Sequence, residues 1–474
     1  MKKMLAIFMA LILTFTFVTP VYATGEEPEE VTTEHPETTE YPNDPSRPPD
    51  LVCNAAIVMD AASGQILYEK NAYERKYPAS ITKILTTLVA LDHGVNFDDT
   101  VVMSENAIWG IERNSTNIGL DVGEKVTVRD IMYATMVQSA NECAYAVAEL
   151  VAGDLESFAK LMNDRIEEIG CTDTHFVTPN GLHDDNHYTC AYDMALITKE
   201  ALKNDTFREI AGTLSYVVPE TNLADETRPL WNGNKMINPA ESNYYEYCKG
   251  GKTGYTSMAN NTLVTFAEKD GLELICVILD CDGWKYSYTD SKALYNYCYN
   301  NYTYFRPLTD FTFESKNEEL SETNSILQNY YSSLNHEMVD LVVDRDYSLL
   351  LNKSVDTTKI EKQINLFDTA KDNVLGEIIF SYEGEQIGST PITSTTPLLS
   401  SQMTQEPTEE KGPSLLSKIG KVLLRILIVF LCLIIVLGIY MLIAALIRKL
   451  RRNRRRRSYG RRRRRRRDDD YFYF

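Results

Sequence analysis

Apolar and polar positions set out a short strand pattern first. Residues 55–59 and 65–68 are apolar runs on either side of Ala62-Ser63-Gly64, which predicts a β-hairpin. Helical periods follow. Residues 80–91 are apolar on almost every face, the pattern of a buried helix. Thr127, with Asp130 three residues on, reads as a capping box ahead of the apolar stretch at 131–137, Asp standing for the usual Glu. Asp154 caps a helix whose Leu155, Phe158, Ala159, Met162, Ile166 and Ile169 share one face, and Gly170 stops it. Residues 191–202 read as another helix. Strands return at 262–266 and 272–279, joined by the turn signal Lys269-Asp270-Gly271. Strands at both ends of a helical middle predict one mixed sheet covered by a helical cluster.

The ends of the chain carry different patterns. Lys2 and Lys3, an apolar run from Met4 to Val18 and the small-x-small site at Val21-Tyr22-Ala23 predict a cleaved secretory signal over 1–23. Residues 24–50 are acidic and rich in Pro and Thr, a spacer without a core. The block 51–305 holds the hairpin, helices and strands above. Beyond Tyr304, strand-like pieces at 340–343, 347–351 and 377–382 predict a small β domain over 306–395. A Ser, Thr and Pro-rich tether follows, at 396–422. Residues 426–447 are 22 uncharged positions in a row, and a bilayer core needs about 20. They predict a transmembrane helix over 423–447.

Charge changes how these pieces are read. The 474 residues total −19, yet residues 448–474 hold 15 Lys and Arg against three Asp. That leaves residues 24–425 at about −33. Basic residues stay cytoplasmic, so the tail predicts a cytoplasmic C-terminus and an extracytoplasmic bulk. The acidic bulk argues against a nucleic-acid partner. The basic tail reads as a stop-transfer block, with anionic lipid contact alongside. Nine cysteines are present, with Cys432 in the apolar run and the other eight between 51 and 300. None forms a C-x-x-C pair, so no zinc ribbon is predicted, and their pairing stays open.

Three short motifs carry candidate chemistry. Ser80-Ile81-Thr82-Lys83 opens the buried helix just after Pro78. A helix N-terminus offers free backbone N–H groups to a developing oxyanion. Lys83 lies three residues on, on the same face, with its amine in reach of the Ser80 hydroxyl. Burial and a second cation would lower its pKa and make it a base. Alone, S-x-x-K is expected about once or twice by chance in a chain this long. Ser139-Ala140-Asn141 comes 59 residues later, in a break between helical stretches, and by itself reads as a helix cap. Lys252-Thr253-Gly254 comes 113 residues after that, opening a strand behind Gly250-Gly251. Glycine there admits close approach of another chain, and Lys with Thr suits a carboxylate.

Together, in this order, the three motifs resemble those of the serine D,D-peptidases, the penicillin-binding proteins and serine β-lactamases. The nearest resemblance is to the low-molecular-mass D-alanyl-D-alanine carboxypeptidases of peptidase family S11. Thr178-Pro179-Asn180-Gly181-Leu182, with His183 and His187 close by, then Tyr192-Asp193-Met194-Ala195, and Gly251 to Thr256 resemble flanking stretches of that group. The resemblance covers 51–300 by sequence and 306–395 by architecture. It implies a mixed α/β penicillin-binding-protein/β-lactamase-like transpeptidase fold, an antiparallel sheet with a helical cluster, followed by the β domain and membrane helix. It implies Ser80 as nucleophile, Lys83 as base and Ser139 as proton shuttle. Asn141, Lys252, Thr253, Gly254 and Tyr255 would bind substrate, with the N–H groups of Ser80 and Tyr255 forming the oxyanion hole. The implied reaction removes the terminal D-alanine from peptidoglycan stem pentapeptides, without metal or cofactor, and β-lactams would acylate Ser80.

Glu142-Cys143 and Met258-Ala259-Asn260 depart from the commoner flanking residues. His175, His183 and His187 read as loop or core residues rather than as a metal site. Two rival functions stand beside this one. A class A β-lactamase would carry E-x-x-L-N between Asn141 and Lys252, and no such string is there. A wall-binding or β-lactam-sensing module would keep the fold without needing Ser80, Lys83, Asn141 and Lys252 together.

Overall fold

A computed structural model of the chain describes residues 46–311, 341–371 and 373–394. The expected signal, the acidic spacer up to residue 45, the tether, the membrane span and the Arg-rich tail lie outside the described residues. The hairpin forms from β1 (Ala55–Asp60) and β2 (Ile66–Lys70). Lys83–Asp92 is helix α1, preceded by a 3₁₀ turn over Ala79–Thr82. The capping box is present at α2 (Val128–Tyr133), with Thr127 and Asp130 satisfying each other's backbone N–H. Helix α3 covers Asn141–Ala152. Helix α4 (Leu155–Ile169) is capped by Asp154 and ended by Gly170 in the left-handed region. Helix α5 spans Ala191–Ala201.

Three long strands complete the sheet: β3 (Cys248–Thr256), β4 (Asn260–Lys269) and β5 (Leu272–Cys281). The order is β2-β1-β5-β4-β3, and every pairing is antiparallel. The mixed sheet expected from strand order alone is therefore corrected. The N-terminal hairpin returns in the centre beside β5, and no strand pair needs a parallel crossover. The Lys252 motif also lies in the middle of β3 rather than opening it. The preceding glycines belong to the strand because a β-carbon at Gly250 would strike the Phe266 ring, and one at Gly251 the Val264 carbonyl.

The pleat sends alternate residues to two cores. Ala55, Ile57 and Met59 of β1, with Ile275, Val277 and Leu279 of β5, join the core built by α1 to α5. Ala56 and Val58, with Leu274, Cys276 and Ile278, face the other way. That second face is covered by α6 (Trp284–Asn301), an 18-residue helix. The apolar pattern missed α6 because its buried side is Ser287, Tyr288, Asp290, Ser291, Leu294, Tyr295, Cys298 and Tyr299, with a single Leu.

The described residues fall into two compact units. One takes the chain up to Phe311 with 345–362 and 380–388; the other takes 341–344, 363–379 and 389–394. Within the first, Tyr302–Phe305 pairs antiparallel with Leu349–Asn352. Within the second, Leu341 stands opposite Ser394 in another antiparallel pair.

Candidate active site

Ser80 lies in the 3₁₀ turn that runs directly into α1. The residue before it, Ala79, has φ of 52°, a left-handed backbone that costs any residue with a β-carbon. Thr82 Oγ1 holds this turn by donating to the Ala79 carbonyl at 2.8 Å. Lys83 comes three positions after Ser80, so the lysine folds back over the turn. Its Nζ lies 3.0 Å from Ser80 Oγ. The same Nζ donates to Asn141 Oδ1 and to the Asn180 carbonyl, each at 2.7 Å. Lys83 is fully buried. Burial first, and then the Lys252 cation, hold its ammonium well below the usual lysine range. Burial also pushes Lys252 down to about 7.

The second motif is placed by a defect in the helical path. After α2 the chain makes a π turn over Ala134–Gln138, and Ser139 takes φ 64°, ψ 29°. Ala140 is extended and α3 starts at Asn141. This break directs the Asn141 amide onto Lys83. Ser139 Oγ is buried and has no hydrogen-bond partner among the described residues. Glu142, the departure from the commoner Asp, anchors the neighbouring loop by accepting the Ile118 N–H at 2.6 Å. Burial raises its carboxyl above the usual range.

The third motif lies on β3, which among the described residues is an edge strand of the sheet. A β-carbon on Gly254 would lie 2.8 Å from Ser80 N and 2.4 Å from Thr262 Oγ1. Glycine is therefore what lets β3 press against the turn carrying Ser80. Thr253 and Tyr255 flank it on the strand, and the Tyr255 side chain is 66% exposed. Lys252 Nζ donates to the Thr253 carbonyl at 3.0 Å.

Ser80, Lys83 and Asn141 thus form one hydrogen-bonded cluster, with Gly254 abutting it. Lys252 acts on Lys83 through charge, and Ser139 makes no hydrogen bond to the cluster. Two participants lie in the flanking stretch that the sequence singles out without giving them a role. Asn180 contributes a backbone carbonyl, which no residue type advertises. His187 is buried and bonded to Thr82, with both ring nitrogens occupied.

The chain as a whole is similar to known proteins. The family model for D-alanyl-D-alanine carboxypeptidase, peptidase S11, matches residues 42–283. The D-alanyl-D-alanine carboxypeptidase DacF of Bacillus subtilis is 29% identical, over 72% of this chain and 84% of that protein. DacC of Escherichia coli is 30% identical, over 73% of this chain and 84% of that protein. Among solved structures, penicillin-binding protein 5 of Haemophilus influenzae superposes with a TM-score of 0.59 at 25% identity. That superposition covers 73% of this chain and 98% of the other. The chain belongs to the D-alanyl-D-alanine carboxypeptidase family, peptidase S11.

Proposed function

We propose that the protein is a penicillin-binding serine D,D-carboxypeptidase that removes the terminal D-alanine from peptidoglycan stem pentapeptides. The observation that carries this reading is the geometry at Lys83, whose buried Nζ lies within hydrogen-bonding reach of Ser80 Oγ and of two carbonyl oxygens, with burial favouring its neutral form. A neutral amine has two N–H bonds and one lone pair. Two carbonyl oxygens at 2.7 Å take the two N–H bonds, and the third neighbour is Ser80 Oγ at 3.0 Å. The lone pair is left for the Ser80 proton. Ser80 Oγ then attacks the penultimate D-alanine carbonyl as its proton passes to Lys83. The N–H groups of Ser80 and Tyr255 receive the oxyanion. Ser139, whose Oγ has no partner among the described residues, relays the proton held by Lys83 to the leaving D-alanine nitrogen as the C–N bond breaks, which returns Lys83 to its neutral form. Asn141 holds the peptide, and Lys252 and Thr253 take the terminal carboxylate, with Gly254 keeping β3 close. Water hydrolyses the Ser80 ester and restores the serine.

The two ends of the chain support an exported protein held by helix 423–447, with its catalytic part outside and residues 448–474 in the cytoplasm. External protease on intact cells would then remove the catalytic part and spare the tail; a digested tail would reverse the orientation. The activity is tested by free D-alanine released from a muramyl-type pentapeptide, against Ser80→Ala. Equal release by both proteins removes Ser80 as nucleophile. Penicillin labelling without release points to a sensor, and rapid penicillin turnover to a β-lactamase.

A further inference from the structure

His187 lies outside the three motifs, yet it ties two of the site's supports together. Its Nδ1 accepts the Val177 N–H at 3.0 Å and the Thr178 N–H at 3.3 Å. Backbone amides only donate, so Nδ1 carries no proton and Nε2 does. Nε2–H therefore donates to Thr82 Oγ1, 2.9 Å away. Thr82 Oγ1 in turn donates to the carbonyl of Ala79, the left-handed residue that aims Ser80. On the other side, the segment held at Val177 and Thr178 continues to Pro179, whose carbonyl accepts from Thr86 Oγ1, and to Asn180, whose carbonyl receives Lys83 Nζ. At Gly181 a β-carbon would lie 1.9 Å from the Ala79 carbonyl oxygen, so this segment and the Ser80 turn pack without room for a side chain.

We propose that His187 is a positioning residue for acylation: one ring, in one tautomer, sets both the strained turn that presents Ser80 and the carbonyl that orients Lys83. This rests on Ser80 and Lys83 being nucleophile and base. His187 is 1% exposed, and burial holds its imidazolium down to about 3, so the ring stays neutral and the tautomer fixed through the physiological range.

The two halves of the ring separate by substitution. His187→Asn keeps an acceptor near the Nδ1 position and loses the donor to Thr82. His187→Gln keeps a donor near the Nε2 position and loses the acceptor for Val177 and Thr178. Thr82→Val deletes the relay hydroxyl while leaving the ring intact. The measurements are the limiting rate of Ser80 acylation by penicillin, KM and kcat for D-alanine release, and the unfolding midpoint. Each single variant is expected to lower acylation and kcat by about ten- to a hundred-fold, the scale of a small misplacement of reacting groups, with KM within about two-fold. Thr82→Val and His187→Asn break the same path, so their double variant should fall no more than about two-fold below the weaker single. Acylation per folded molecule unchanged in all three variants, with only the midpoint lowered, would overturn the proposal. So would a rise in KM at constant kcat, or multiplying losses in the double variant. If His187 variants do not fold, Thr82→Val alone decides by the same kcat-against-KM reading. A wild-type protein that neither releases D-alanine nor reacts with penicillin would instead refute the function on which the proposal rests.

Discussion

The two faces of the central sheet bury ionisable groups in different ways. On the face covered by α1, α3 and α5, the aliphatic core is interrupted by Thr82, Lys83, Asn141, Asn180 and His187, all nearly inaccessible. On the face covered by α6, the core is rich in sulfur and tyrosine: Cys53, Cys248, Cys276, Cys281 and Cys298 with Tyr245, Tyr288, Tyr295 and Tyr299. Burial acts on both sets in the same sense, toward the neutral form. The chemical outcome is opposite. A neutral amine is the reactive form, because it can take a proton. A neutral thiol is the unreactive form, because the thiolate is the nucleophile. Burial pushes Lys252 down to about 7 and Lys83 well below its usual range, while it pushes Cys248 and Cys276 up to about 12. One physical effect arms the lysines of one face and silences the thiols of the other.

The largest expected break comes from the armed face. Ser80→Ala should reduce D-alanine release and penicillin labelling by more than about a thousand-fold, read by amine-specific D-alanine assay and gel fluorescence. Stability should be little changed.

The next contrast is in the pH dependence of stability, where the faces oppose each other. Lys252 has a folded pKa of about 7 against 10.5 unfolded, so between these values the unfolded chain holds the extra proton. Unfolding free energy therefore rises with pH across that window, by at most about 1.4 kcal/mol per unit for this group. The buried thiols ionise from about 9 when unfolded but stay protonated when folded. Their contribution is complete below 9 and is lost as pH rises toward 12. Denaturant titrations should show a maximum near pH 9, within about one unit. Lys252→Met should flatten the rise, and Cys276→Ala should soften the fall. A monotonic profile from pH 7 to 11 would contradict both.

A smaller effect is expected from the hydroxyls of the α6 face. Tyr295 Oη and Thr265 Oγ1 are 2.9 Å apart, fully buried. Tyr295→Phe should cost about 1–3 kcal/mol by leaving Thr265 without its partner, with kcat per folded molecule unchanged. The smallest effect is on thiol labelling. At pH 8 the native protein should leave Cys53, Cys248, Cys276 and Cys298 unalkylated, as shown by peptide mass spectrometry before and after denaturation.

Much of the armed face was legible because its signals are local. Thr127 with Asp130 and Asp154 with Gly170 mark helix ends by side-chain chemistry, and the hairpin by its turn. The three motifs announce themselves by residue type and order. What joins them does not. The Asn180 carbonyl would be the same on any residue, and the left-handed Ala79 looks like any alanine until Thr82 and Gly181 are seen against it. His187 is one of six histidines, and only the fold shows which two amides fix its tautomer. On the other face, α6 hid because tyrosine and cysteine make its buried stripe, and an aliphatic pattern does not detect them.

The central claim is that burial leaves Lys83 as a neutral amine beside Ser80 at neutral pH. Nitrogen NMR of the protein labelled at lysine Nζ tests it most directly. A neutral-amine resonance near pH 7 that disappears in Lys83→Met is the result expected. Ammonium resonances alone at that pH, from every lysine, would contradict it.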